Sequence, residues 1–215
     1  SDIESQIDEE MEPLRAIFVP AEDVNSQNIT AYANKLSSVG ANALVLEVKP
    51  TSGQLVWASK VQIASDYGTN GTVDLGVLAN TLKEQGIYLV AQLACCADDL
   101  LAQRCASAAL TLPGKIPYSD ADGYWVDPYN ATVSEYLIGL CQELVSYGFD
   151  ELLLKNLAMP QTDSTLVYTV TLSSNPTPTS AVCGLAMDIT SALANSDVLV
   201  SAILDTTSLR NGLSA

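Results

Sequence analysis

Short apolar runs bounded by glycine, proline or polar residues recur along this chain. The clearest is residues 148–160 (GFDELLLKNLAMP), in which three leucines lie between a glycine and a proline. A run of this kind predicts a fully buried strand of a parallel sheet. The predicted strands of this type are residues 15–20, 43–49, 88–95, 151–157 and 198–204.

Segments with helical spacing separate these strands. The predicted helices cover residues 26–39, 73–85, 98–110, 132–147 and 180–194. Residues 165–172 are a possible further strand, and residues 111–130 form a long irregular connection. Strand alternating with helix predicts an α/β fold, and the right-handed crossover rule makes a TIM-barrel-like parallel (β/α) sheet the expectation. A chain of 215 residues is short for eight such units, so we expect a shortened or incomplete barrel.

The composition and charge of the chain predict its domain organisation and exclude some classes of partner. Residues 1–13 are acidic and lack an apolar period, which predicts a tail or linker ahead of one domain over residues 14–215. The net charge is −16, with nine basic and 25 acidic residues. This charge argues against nucleic acid and anionic membrane surfaces as partners. No apolar span reaches the length of a membrane helix.

The chain has no histidine, which excludes Ser-His-Asp and Cys-His catalysis and most transition-metal sites. We expect neither a metal nor a cofactor. The five cysteines show no CxxC spacing and are expected to be buried thiols. A Cys96–Cys105 disulfide remains open, since spacing alone cannot establish one.

Three blocks resemble a known family. The segment LEVKP at 46–50, after ANALV, is similar to a strand reading NALVIDVKD. Residues 123–130 (GYWVDPYN) resemble a block reading W-V/L-N/D-P-Y-N, and residues 148–160 resemble GFDEIQFDYVRFP. Together they resemble a bacterial family of glycoside-hydrolase-like domains of unknown function, relatives of the α-amylase-type (β/α) barrels. The resemblance implies a carbohydrate ligand.

The departures from the family pattern bear on catalysis. Lys155 stands where the family has an aspartate, and Ala158 where it has an arginine. Gln92 replaces an arginine, Ala97 a lysine, and Ile203 an expected carboxylate. Most glycoside hydrolases need two carboxylates across the scissile bond. The resemblance therefore implies a degenerate catalytic site in this chain.

Two acids remain candidates for catalysis. Glu47, near the end of ALVLEVK, is either a general acid or sugar ligand, or a buried carboxylate paired with Lys49 or Lys155. Asp127, in WVDPY, is either a residual catalytic acid or sugar ligand, or a turn and cap residue. The alternative function is therefore an active glycosidase that uses Glu47 and Asp127 as its carboxylate pair.

The ligand candidates follow the predicted strand ends and the aromatic block. Tyr124, Trp125 and Tyr129 either stack on a sugar ring or form a lid over the core. Lys49 and Lys155 either bind an anionic group such as a uronic acid or phosphate, or pair with Glu47. The residues expected to bind a ligand are Lys49, Gln92, Trp125, Tyr129, Asn130, Lys155 and Asn156.

The leading prediction is a glycoside-hydrolase-like domain that no longer hydrolyses glycosides. It either binds carbohydrate or serves as an interaction module, outside the cell or at the cell envelope. An incomplete barrel also predicts a homo-oligomer that completes itself by pairing, with an exposed apolar sheet edge.

Overall fold

A computed structural model of the protein describes residues 13–169 and 177–204. Its centre is a sheet of five parallel strands, which are β1 (Ala16–Val19), β2 (Ala43–Lys49), β3 (Tyr88–Ala94), β8 (Glu151–Lys155) and β9 (Leu199–Ala202). Their order in the sheet is β1-β2-β3-β8-β9; the two-residue strands between β3 and β8 in the chain form separate hairpins. All five predicted strands are present within one or two residues of the expected bounds, which confirms the α/β, TIM-barrel-like prediction.

The helices connect neighbouring strands. They are α1 (Ser26–Val39), α2 (Gln62–Asp66), α3 (Leu75–Lys83), α4 (Asp99–Arg104), α5 (Ala131–Ser146) and α6 (Pro178–Ala192), with a short 3-10 turn at Ala21–Asp23. Because the strand order never reverses, right-handed crossovers place the connecting helices on one face of the sheet. No helix in the described part of the chain is both long and apolar enough to cross a membrane.

The sheet is open, because β1 and β9 each have a neighbouring strand on one side alone. The helix-covered face carries side chains that join the main apolar core: Leu44, Leu46, Leu89, Ala91, Leu93, Leu152 and Leu154. The opposite side, here called the open face, carries the alternate residues: Phe18, Val45, Glu47, Val90, Gln92, Glu151, Leu153, Lys155, Leu199 and Ser201. Phe18 and Leu199, on its two outermost strands, are 48% and 59% exposed.

Helix α1 illustrates how the sequence sets these elements. The side chain of Asn25 accepts hydrogen bonds from the backbone N–H groups of Gln27 and Asn28, so the helix begins there. Gly40 ends it with φ +66, a conformation that glycine adopts without steric cost. These two residues fix the two ends of α1.

Several predicted elements after β3 are wrong. The helix expected over 98–110 ends at Arg104, because Leu110 pairs its backbone N–H with Trp125 and Ala109 bridges to Val126. The expected irregular connection contains two antiparallel hairpins instead: β4 (Thr111–Leu112) with β5 (Ile116–Pro117), and β6 (Ser119–Asp120) with β7 (Gly123–Tyr124).

Two other expectations need correction. The possible strand over 165–172 is a single antiparallel bridge from Val167 to Thr111, and its last residues lie outside the described part. The cysteines were expected to be buried thiols, and all five are free thiols, but Cys183 is exposed while the other four are buried; the Cys96–Cys105 disulfide that the sequence left open does not form. Of the acidic segment 1–13, only Pro13 is described, and it is exposed.

Candidate functional site

The site candidates on β2 and β3 meet at the open face. Glu47 lies opposite Gln92 in the sheet register. Its Oε1 accepts a 3.5 Å hydrogen bond from Gln92 Nε2, and its Oε2 accepts a 3.4 Å bond from the backbone N–H of Ala21. Glu47 is half-buried, and both bonds are long, so this carboxylate can accept shorter hydrogen bonds from a ligand.

Lys49 does not pair with Glu47. The register shifts between these two residues, so that Lys49 lies opposite Leu93, whose side chain belongs to the helix-covered face. The fully buried Lys49 ammonium instead contacts Asp98 Oδ2 at 2.7 Å and donates to the Ala94 carbonyl at 2.7 Å. A single extra residue in β2 has turned Lys49 away from the open face. The expected Glu47–Lys49 ion pair is therefore wrong.

Lys155 lies on the open face at the carboxyl end of β8, opposite Ala94. It is half-buried and forms no ion pair with any described residue, so the expected Lys155–Glu47 pair is also absent. The Lys155 ammonium is thus without a described counter-charge at the carboxyl end of the sheet. That is where parallel α/β folds bind their ligands.

Asn156 follows Lys155 in a left-handed conformation, with φ +52. Its Nδ2 donates to Asp122 Oδ2 at 3.3 Å, which fixes the orientation of the amide because a carboxylate can only accept. Its Oδ1 is buried and accepts no hydrogen bond from the described residues. Buried acceptors are almost always paired, so this carbonyl oxygen is the clearest unmet hydrogen-bonding group at the sheet end.

Asp127 has a different environment from Glu47. It is fully buried, and its Oδ1 accepts from the backbone N–H of Tyr129 at 2.9 Å. Its Oδ2 accepts from the backbone N–H and the hydroxyl of Thr169, at 2.5 and 2.9 Å. Both oxygens are thus engaged in holding two chain segments together. These contacts match the interpretation of Asp127 as a turn residue, but the cap of the following helix is Asn130.

The aromatic block is packed into the loops. Trp125 is 4% exposed and donates its indole N–H to Asp120 at 2.9 Å, so its ring faces offer little area for stacking. Tyr129 is half-buried, and its hydroxyl bonds to Ser180 and the Thr177 carbonyl. Asn130 caps α5 through Thr132 and donates to the Ser107 carbonyl. These contacts are those of residues that hold the loops above the sheet.

Sequence reasoning missed three acids that organise this region: Asp98, Asp122 and Glu143. Asp98 begins α4 by accepting from Leu101 N–H at 2.9 Å while it pairs with Lys49. Glu143, on α5, accepts from Trp57, from Ser59 and from the backbone N–H of Lys60, and so anchors the loop after β2. Their pairing with Lys49, Asn156 and Trp57 leaves no signal in sequence spacing, because these partners lie dozens of residues away.

The pKa of Glu143 reflects these donors. Burial raises it, but the hydrogen bonds from Ser59, Lys60, Tyr147 and Trp57 outweigh burial and hold the pKa below its ordinary value. A carboxylate with four donors stays ionised at neutral pH and acts as an anchor for the loop.

The buried thiols are poor nucleophiles. Burial raises the pKa of Cys95 and Cys141 to about 12, and it raises the pKa of Cys96 as well. The thiol form is therefore favoured at neutral pH, and thiolate chemistry is disfavoured at these positions. Within residues 13–169 and 177–204, no group of three or more histidine, cysteine, aspartate or glutamate side chains is arranged to hold a metal ion.

Comparison with solved structures shows a shared fold. A hypothetical protein from Ruminiclostridium thermocellum ATCC 27405 superposes with a TM-score of 0.76 at 19% identity, over 87% of this chain and 96% of that one. The α-galactosidase of Thermus thermophilus gives 0.59 at 14% identity, over 88% of this chain and 38% of the enzyme. The trehalose-6-phosphate hydrolase of Bacillus licheniformis gives 0.58 at 12% identity, over 92% and 45%.

This chain thus spans less than half the length of those two glycoside hydrolases. A search of curated proteins finds no match to the sequence. Family comparison is more specific, because one model covers residues 16–207 and therefore all five strands of the sheet. It confirms the resemblance carried by the three sequence blocks. The chain belongs to the family described as "Putative glycosyl hydrolase domain".

Proposed function

We propose that this chain is a glycoside-hydrolase-like domain that binds carbohydrate at the carboxyl end of its open face and has lost the catalytic pair. The observation that carries the proposal is the Lys155–Asn156 corner. It has an ammonium that forms no ion pair with a described residue, at a position where the resemblance implies an aspartate, beside a buried amide oxygen that accepts no hydrogen bond from a described residue. A sugar hydroxyl is a donor that suits such an oxygen.

The neighbouring groups support the same ligand class. Glu47 and Gln92 add an acceptor and an amide on adjacent strands of the open face. Sugar binding needs several hydrogen-bonding groups in fixed positions, and strands hold such groups more rigidly than loops do. Lys155 favours a ligand that carries an anionic group, such as a uronic acid or a phosphate.

The surroundings of the two candidate acids support the loss of catalysis. A glycosidase needs a second carboxylate about 5 to 10 Å from the first, facing the same bond. Asp127 is fully buried with both oxygens engaged, and thus is poorly placed to serve Glu47 as that partner. Ile203 is 45% exposed where the family has an acid, and it can transfer no proton.

Glycan titration by calorimetry, run beside hydrolysis of a panel of aryl glycosides, tests the proposal. We expect binding without turnover. Asn156→Gly should weaken binding at least tenfold without lowering the melting temperature, because glycine adopts a φ of +52 freely. Turnover that is lost in both Glu47→Gln and Asp127→Asn would establish the active-glycosidase alternative instead. Absence of binding across the panel would refute the proposal.

We further propose that the domain acts outside the cell or at the cell envelope, where polymeric glycans are presented. Fractionation of cells that produce the natural protein tests this location. A purely cytoplasmic protein would contradict it.

A further inference from the structure

A second cleft lies beside the loops, separate from the open face. It has a volume of about 680 Å³ and lies between the end of α4, the β4–β5 hairpin and residues 167–169. The described residues that line it include Gln103, Lys115, Tyr124 and Tyr168, but no aspartate or glutamate. In a chain with 25 acidic and nine basic residues, a lining with a cation and no described acid is unusual.

Two tyrosines supply the aromatic surface of this cleft. Both are half-buried, and neither hydroxyl is hydrogen-bonded to a described residue. The ring of Tyr168 packs edge-on against Tyr129, with centroids 5.4 Å apart, so its orientation is fixed. Burial, with the nearby Tyr129 and Asp127, raises the pKa of Tyr168, which keeps its hydroxyl available as a donor. Rigid tyrosines with free hydroxyls suit a ring that carries hydroxyl groups.

Lys115 supplies the charge, and its backbone is strained. It has φ +61 directly after Gly114 at φ +88, in the turn of the β4–β5 hairpin. Glycine or asparagine would adopt this conformation at lower cost. In the described part of the chain, the only other non-glycine residue with such a φ is Asn156, in the proposed sugar site. Strained residues concentrate at ligand sites, so Lys115 warrants a functional explanation.

The two sites are joined by the β6–β7 hairpin. Asp122, in its turn, accepts the hydrogen bond from Asn156, and Tyr124, at its end, lines the cleft. One hairpin thus carries both a residue that contacts Asn156 and a residue that lines the cleft.

We infer that this cleft binds a uronic acid residue of a glycan, with the sugar ring against Tyr124 and Tyr168 and its carboxylate on Lys115. The inference rests on the proposed carbohydrate function and adds the chemistry of one sugar unit. Lys115 forms no ion pair with a described residue, so its ammonium is available to a ligand carboxylate. A neutral sugar would use the same tyrosines but gain nothing from Lys115.

Calorimetric titration with oligogalacturonate and oligoglucuronate, each beside its neutral counterpart, tests this inference. We expect the acidic ligands to bind at least tenfold more tightly, with the difference declining as salt is raised. Lys115→Gly removes the charge and relieves the backbone, so it should remove the larger part of that difference while the melting temperature holds or rises. Lys115→Gln should have the same effect on that difference, and Tyr124→Leu should weaken both classes of ligand.

The variants separate this inference from the proposed function. If Asn156→Gly weakens glycan binding while both Lys115 variants leave the preference for acidic ligands intact, the inference fails and the proposed function stands. If no ligand binds, acidic or neutral, both fail. If Lys155→Met rather than Lys115→Gly removes the preference, the uronate lies at the sheet end and the cleft is refuted as its site.

Discussion

The two faces of the sheet come from the same strands but differ in what their side chains contact. On the helix-covered face, Leu152 and Leu154 are almost fully buried in the main core. On the open face, the alternating Glu151, Leu153 and Lys155 are each only partly buried. Purely parallel sheets are normally covered on both faces. On β8 the helix-covered face is therefore the more buried one, whereas on β3 the open-face residues Val90 and Gln92 are buried as well.

Two lysines near the ends of these strands differ in the same way, one being buried and paired and the other partly exposed. Lys49 is fully buried, and its ammonium is satisfied by Asp98 and a backbone carbonyl. Lys155 is half-buried, without an ion pair among the described residues. A buried charge is retained only when it is paired, whereas a partly exposed one is stabilised by solvent. Lys49 is therefore held in a buried pair, whereas the Lys155 ammonium is partly exposed and has no ion pair with a described residue.

The largest effect is expected when the buried pair is broken. Lys49→Met leaves Asp98 buried without a counter-charge and should cost about 3 to 5 kcal/mol of the free energy of unfolding. Urea unfolding followed by circular dichroism measures it. The matched control, Lys155→Met, should change stability by less than about 0.5 kcal/mol.

A double variant checks the cause of that loss. Lys49→Met with Asp98→Asn removes both charges and keeps the acceptor that begins α4, so it should recover much of the stability. Equal losses for Lys49→Met and Lys155→Met would contradict the contrast between the two faces.

Adjacent leucines give the next largest difference. Leu152→Ala removes a side chain that is 0% exposed and should cost about 2 to 5 kcal/mol through the cavity it leaves. Leu153→Ala, one residue along, should cost about 1 kcal/mol, because its side chain faces the open side and loses less buried area. Thermal and urea melts compare the two. Similar losses would show that something covers the open face in solution.

The pH dependence of stability in a Glu143 variant tests the contacts that this carboxylate makes with the loop after β2. Glu143→Gln replaces a carboxylate that accepts four hydrogen bonds and should cost about 1 to 3 kcal/mol at neutral pH. Because the folded-state pKa of Glu143 is lowered, its contribution is present above the ordinary glutamate pKa and is lost as pH falls through the lowered value. The difference in the free energy of unfolding between the wild type and Glu143→Gln should therefore become smaller below about pH 4, as urea unfolding at several pH values would measure. A difference that stays constant with pH would show that the charge of Glu143 does not stabilise the fold.

The strands were predictable from sequence because the apolar runs are short and punctuated. Residues 151–157 carry three consecutive leucines, and the strand formed at Glu151–Lys155. The hairpins over 111–124 were not predictable, because strands of two residues carry no measurable period. Tertiary pairing also explains why α4 does not continue to residue 110. Ala109 forms a β-bridge with Val126, and the backbone N–H of Leu110 bonds to the Trp125 carbonyl.

The sequence predicted which candidate side chains lie on one face of the sheet better than it predicted which of them form ion pairs. The sequence placed Glu47, Gln92 and Lys155 at neighbouring strand positions of one sheet, which the register bears out. It predicted that Lys49 would join them, because alternation along β2 places residues 47 and 49 on one face. The extra residue in β2 overturns that expectation, and such a bulge leaves no pattern in a single sequence.

The smallest effect is expected at the rim of the open face. Phe18→Ser and Leu199→Ser alter side chains that are 48% and 59% exposed, so each should change stability by less than about 0.5 kcal/mol.

Five strands spaced about 4.8 Å apart and about 17 Å long present roughly 400 Å² of flat area. A stable interface buries about 800 Å² of accessible surface on each partner, so we expect this face alone to fall short of what a dimer needs.

Sedimentation of the wild type and both rim variants measures this directly. We expect all three to sediment as monomers and to retain glycan binding, because the proposed ligand groups lie at the carboxyl ends of the central strands. A wild-type dimer that either substitution dissociates would instead support the homo-oligomer predicted from the incomplete barrel. In that case the open face would be an interface between copies, and glycan affinity should rise in the monomeric variants as the face becomes accessible.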